Sequence, residues 1–97
     1  MAIVLIPSPL RRLTGGQARV EIGASTVGEL LHRLDAQHPG LRSYLFDEAG
    51  ALRAYVTVFV NQIEIRDSGG LQTPVGPMDE VAIIPAMAGG ALRSAFR

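Results

Sequence analysis

The chain has 97 residues, 47% of them hydrophobic, and nine basic residues balance nine acidic ones, which suits one domain with one core. A domain this short buries only about 60 to 65% of the surface its unfolded chain exposes, so an enclosed substrate cavity has little room. The basic residues are scattered singly apart from Arg11-Arg12, so there is no stripe suited to a phosphate backbone and nucleic-acid binding is disfavoured.

All nine basic residues are arginine, which leaves the α-amino group as the only ordinary amine. With no cysteine there is no disulfide framework, thiolate nucleophile or Cys-ligated zinc, and a reducing cytoplasm fits. Residues 1–6 are too short for a signal segment, and the later apolar stretch 81–88 is interrupted by Pro85. A soluble cytoplasmic protein without a membrane partner is expected.

Residues 2–6 are β-branched or leucine almost throughout, which predicts a strand buried on both faces, and Pro7-Ser8-Pro9 ends it by removing two backbone donors. After the turn signal Thr14-Gly15-Gly16, residues 17–22 alternate polar and apolar as a half-exposed strand should, so a hairpin is expected. Thr26 followed by Glu29 makes a capping box, with Thr26 accepting from the helix and Glu29 reaching back to the amide of the cap itself. Val27, Leu30, Leu31 and Leu34 then form one apolar stripe, and His38-Pro39-Gly40 stops the helix. Residues 41–46 suit a short second helical turn, and residues 47–54 a loop bent at Gly50.

Residues 55–60 carry the strongest strand signal, with valines on one face and Tyr55, Thr57 and Phe59 on the other. Asn61-Gln62 turns that strand into residues 63–66, although glycine would suit such a turn better. After a connection containing Gly69, Gly70 and Pro74, residues 80–85 form a last apolar strand. The order is ββαβββ. Because the first and last strands are both continuous apolar runs, they belong side by side and parallel at the sheet centre. The expected class is α+β, a β-grasp or ubiquitin-like mixed sheet of four to five strands covered by one main helix. Residues 1–88 would form the domain and residues 89–97 a tail.

Gly89-Gly90 in isolation reads as a flexible joint. After the final strand of a β-grasp and a short Ala-Met-Ala spacer, it reads instead as a peptide able to thread a narrow active site. Glycine has no Cβ to crowd its carbonyl carbon during activation and attack. No nucleotide-binding motif is present, so activation would belong to a partner. His32 and His38 lack metal-ligand spacing. His32 reads as a solvated surface residue, His38 as a group near the helix-end carbonyls, and no metal is expected. The pairs Asp47-Glu48 and Asp79-Glu80 read as solvated turns. Phe59, Thr57, Ile84 and Met87 are candidates for a docking surface, with simple edge packing of Phe59 as the alternative.

Val56-Thr57-Val58-Phe59-Val60-Asn61, Arg66-Asp67-Ser68-Gly69-Gly70-Leu71 and the segment from Asp79 to Gly90 resemble the MoaD/ThiS sulfur carriers, over residues 2 to 90. Ile6-Pro7-Ser8-Pro9-Leu10-Arg11, Thr14-Gly15-Gly16-Gln17 and the ending I-I-P-A-x-A-G-G look most like the CysO branch. The resemblance implies that an activating adenylyltransferase uses ATP to join AMP to Gly90, and that a sulfurtransferase or sulfide source then replaces AMP with sulfur. In that branch the acceptor is a PLP-dependent cysteine synthase, and a JAMM-type metalloprotease releases the product. The carrier is then a co-substrate rather than an enzyme, and binds no cofactor itself.

One departure is the extension of residues 91–97, which blocks Gly90 in a peptide bond, so cleavage between Gly90 and Ala91 by a metalloprotease of the same class is expected. Removing it takes away two arginines and leaves seven basic against nine acidic residues, a charge of −2. Alternatively Ala91, Leu92, Ala95 and Phe96 pack on the domain and the Gly-Gly is a hinge. Two other functions remain open: a modifier joined through Gly90 to lysines of other proteins, and a non-covalent interaction module.

Overall fold

In the computed structural model, which describes residues 1–85, every second residue of the long strands is buried. These are Ala2 and Val4 in β1 (Ala2–Leu5), Val20 and Ile22 in β2 (Arg19–Ile22), and Val56, Val58 and Val60 in β3 (Val56–Val60). Val81 and Ile83 continue the pattern in β5 (Glu80–Pro85). A period of two puts all of them on one face, and the pairing register keeps them there. Helix α1 (Val27–Gln37) adds Val27, Leu30, Leu31 and Leu34 to the same core, each with no exposed surface. Each such burial stabilises by about 1.5–3 kcal/mol.

The sheet runs β2-β1-β5-β3-β4, with β4 (Ile63–Glu64) at one edge. β1 is antiparallel to β2 and parallel to β5, with Val4 facing Val81 and Leu5 facing Ala82. β5 pairs antiparallel with β3 from Val56↔Pro85 to Val60↔Val81. The expected β-grasp order, hairpin, main helix and central parallel pair are all present. So is the short second helix, α2 (Arg42–Leu45). No helix among the described residues is long and apolar enough to cross a membrane.

Four local expectations need correction. β1 is buried on one face only: Ile3 and Leu5 stay half-buried, because the helical segments send their buried side chains to the opposite core. The link from β1 to β2 contains a 3-10 segment, Ser8–Thr14, that buries Leu10 and Thr14. Its end is fixed by Gly15 at φ 65 and by the Thr14 hydroxyl, which spans the carbonyls of Arg11 and Gln17, so β2 starts at Arg19 rather than residue 17.

The capping box forms, with the Glu29 amide donating to Thr26 Oγ1 at 3.2 Å, but the Glu29 carboxylate accepts from Ser25 at 2.7 Å instead of from Thr26. Val75 N–H bonds to Ser25 and Val27 N–H bonds to Thr73, which holds the arriving chain extended and turns the Ser25 amide toward Glu29. The strand expected over 63–66 stops at Glu64, whose side chain accepts from the Arg66 amide at 2.7 Å and starts a 3-10 turn, Ile65–Asp67.

Asn61 and Gln62 make the β3–β4 turn with φ of 50° and 75°, the left-handed geometry that a two-residue hairpin demands. Asn61 is held there by Asp79: its amide donates to Asp79 Oδ1 at 3.0 Å, and its carbonyl oxygen accepts from the Glu80 amide at 3.0 Å. Gln62 makes no such side-chain bond, so Gln62→Gly should raise stability by up to about 1 kcal/mol, read as a higher urea midpoint with unchanged slope.

Asp79 also accepts from the Gly76 amide at 2.8 Å. That bond first, and the Asn61 amide second, hold its carboxyl below the usual range against a smaller opposing effect of desolvation. A depressed folded value contributes stability above the unfolded pKa that is lost as pH falls through the folded value. Asp79→Asn should therefore lower the urea midpoint near neutral pH, and the gap from the parent should narrow as pH falls through the folded pKa of Asp79.

Candidate functional site

The sheet face away from α1 is a surface built by strand register. One row crosses all five strands as Arg19, Leu5, Ala82, Phe59 and Glu64. Beside it Thr57 faces Ile84. Ile84 is 52% exposed, while Leu5, Thr57, Phe59 and Ala82 are half-buried. The centre is therefore apolar, with Arg19 at one rim and Glu64 at the other. A shallow hollow of about 270 Å³ lies between Phe59, Gln62, Glu80, Ala82 and Ile84.

Three of the residues singled out from the sequence, Thr57, Phe59 and Ile84, come together on this face. Met87, Gly89, Gly90 and Ala91 lie outside the described residues. Sequence reasoning missed Leu5 and Ala82. Alternation from Ile84 would have placed Ala82 on the same face, whereas Leu5 needs the β1–β5 register as well. Beyond the central strand β5, the sequence reaches Gly89 four residues after Pro85.

The other candidates take structural roles. Asp47 Oδ1 accepts from the amides of Ala49 and Ala51 at 2.9 and 3.0 Å, which makes it the organiser of its turn. His32 is exposed as expected but also stacks on Phe46, with centroids 6.2 Å apart and planes at 21°. At His38 the backbone N–H bonds to the Leu34 carbonyl and closes α1. Among the described residues no three His, Cys, Asp or Glu side chains are placed to hold a metal ion. A second hollow of about 290 Å³, by Thr26, Glu29, His32 and Arg42, contains a carboxylate already engaged by Ser25 and Arg33.

Comparison with known proteins bears on this geometry. The ThiS family model matches residues 4–90. Sulfur carrier protein CysO of Mycobacterium tuberculosis is 40% identical over 89 residues, spanning 90% of this chain and 96% of that protein. Small archaeal modifier protein 3 of Haloferax volcanii is 33% identical over 66 residues, 68% of this chain and 71% of that protein. Among solved structures, the CysO chain in the Amycolatopsis orientalis BexX/CysO complex superposes with a TM-score of 0.86 at 38% identity, covering 93% of this chain and all of that one. Sheet order, one-sided helical cover and sequence agree, and the chain belongs to the ThiS family of ubiquitin-like β-grasp proteins.

Proposed function

We propose that this protein is a sulfur carrier that works through Gly90 once residues 91–97 have been removed. The observation that carries the reading is the position of β5. The central strand, held by β1 and β3 over residues 80–82 and by β3 as far as Pro85, leads within a few residues to Gly-Gly. The ThiS family match runs through residue 90, and 40% identity to a named sulfur carrier covers 90% of the chain.

The chemistry follows from a free glycine carboxylate. The activating adenylyltransferase brings ATP, the carboxylate attacks the α-phosphorus, and pyrophosphate leaves. Hydrosulfide, from a sulfurtransferase or a sulfide source, then adds to the acyl carbon, and AMP leaves with the C–O bond electrons. The product is a thiocarboxylate, and a hydrogen in place of the glycine side chain leaves the acyl carbon open to both attacks. A PLP-dependent cysteine synthase is the acceptor we favour, with a JAMM-type metalloprotease trimming at Gly90-Ala91 and releasing cysteine. All of this takes place in the cytoplasm, and the carrier itself performs no catalysis.

The sheet face of Phe59, Thr57 and Ile84, extended by Met87, is the docking surface in this reading. A relative of this fold forms a complex with BexX, which supports use of the fold for binding a folded partner. A half-buried aromatic amid half-exposed apolar neighbours suits the centre of an interface. Phe59→Ala should raise the KM for adenylation of the trimmed carrier about tenfold, with kcat retained. A thermal melt would establish that the variant is folded, and an unchanged KM would return Phe59 to simple packing.

A second reading, a modifier conjugated through Gly90, is favoured by the 33% identity to a small archaeal modifier. Intact mass of the untagged protein from its native cell, with conjugates sought in parallel under denaturing conditions, separates the two. A chain ending at Gly90 with one oxygen replaced by sulfur supports the carrier. Stable high-mass conjugates support the modifier, and a chain ending only at Arg97 counts against both.

A further inference from the structure

A chain of contacts leads away from the end of β5 through four segments distant in sequence. Val56 pairs with Pro85, and the Val56 amide bonds to the Arg53 carbonyl at 3.0 Å, so Arg53 lies one turn from the end of β5. The same carbonyl accepts from Arg66 Nη2 at 3.1 Å. Arg53 Nε in turn donates to the Ser43 carbonyl at 3.0 Å. Next to Ser43, Tyr44 accepts a hydrogen bond from Arg12 Nη2, and the Arg12 guanidinium lies 5.5 Å from the Tyr44 ring centroid.

The result is a continuous belt, Arg12–Tyr44–Arg53–Arg66. Its hydrogen-bonding partners are neutral oxygens and an aromatic ring rather than carboxylates. Among the described residues, Arg12 and Arg53 have no carboxylate within salt-bridge distance, and Arg66 has only Glu64, at 4.0 Å. Asp47 and Glu48 face Arg53 across an open groove, but Asp47 is occupied by two backbone amides. Arg12, Tyr44 and Arg66 are exposed. Neutral partners fix where these guanidinium groups sit without cancelling their charge.

We infer that the belt docks on an acidic protein surface bordering the entrance through which a partner takes the C-terminal Gly-Gly. This inference rests on the carrier reading and adds the chemistry of the partner's surface. Four anchored residues, linked in series to the end of β5, suit one localised acidic rim. A phosphate backbone would call for a longer basic track, and this chain, neutral as a whole and at −2 when it ends at Gly90, has none. Charges placed at a rim govern encounter and register more than the chemical step, so their signature is a salt-dependent KM.

The test is steady-state adenylation by the activating adenylyltransferase of the same cell, with ATP and carrier ending at Gly90. For the parent carrier, KM should rise severalfold as ionic strength goes from about 0.02 to about 0.2 M. Arg12→Glu/Arg66→Glu should raise KM tenfold or more at the lower salt, with kcat within about twofold and with the difference shrinking as salt is added. The parent's salt dependence needs no variant, so a folding defect cannot supply it. A parent KM indifferent to salt overturns the inference while leaving the carrier reading intact, as does a variant that is folded by its thermal melt and keeps the parent KM or loses only kcat. If the parent carrier forms no adenylate at all, the carrier reading fails and the inference falls with it.

Discussion

Everything else in this fold depends on the parallel pairing of β1 with β5. Parallel strands cannot be joined by a tight turn, so the chain between them must leave the sheet and return, and here it makes α1, α2, β3 and β4 on the way. The pairing also places β5 between two neighbours. Over residues 80–82 the strand is held on both sides, and from Ile83 to Pro85 it is paired with β3 alone, so its start is the firmer end. The place of β5 in the sheet is thereby set by some of the most buried of the described residues, Val4, Val58 and Val81.

The same topology explains why one face is open. The helical segments all contribute to a single core, and a chain of this length lacks the residues for a second layer. Leu5, Phe59, Ala82 and Ile84 are left to cover one another, ringed by Arg19 and Glu64. Exposed apolar surface of this kind costs solubility, and the polar rim limits the cost. A face that only needed to be inert could carry threonine or charged residues at every outward position, as Thr57, Arg19 and Glu21 demonstrate is compatible with this sheet.

The long elements were legible because each carries a periodic signal. Alternating valines defined β3, and Thr26 with Glu29 marked the start of α1. The 3-10 segment Ser8–Thr14 was not legible, because Pro9 within it and Pro7 before it read as a stop, and its burial of Leu10 and Thr14 follows no strand or helix period. The length of β4 depended on a side chain: Glu64 captures the Arg66 amide, and no propensity scale anticipates that. The arginine belt was invisible for a different reason. Arg12 and Tyr44 are 32 residues apart, and nothing in the sequence joins the Arg11-Arg12 pair to Tyr44, or Tyr44 to the scattered Arg53 and Arg66. Gly89-Gly90 stood out only through its place after a strand, a matter of topology more than of composition.

Choice of cation gives the belt a second consequence on the carrier reading. An activated glycyl carbonyl reacts with any free amine that reaches it, and a lysine at the root of the tail would supply one whenever it lost its proton. Arginine keeps its positive charge throughout the accessible pH range and is a poor nucleophile. Arg12, Arg53 and Arg66 can therefore attract an acidic partner close to the reactive end without intercepting it. With no lysine or cysteine anywhere in the chain, the same protection covers every side chain in collisions between one activated carrier and another and leaves only the α-amino group as an amine. Electrostatic attraction and chemical inertness, which lysine would set against each other, are compatible here because every cationic side chain is a guanidinium.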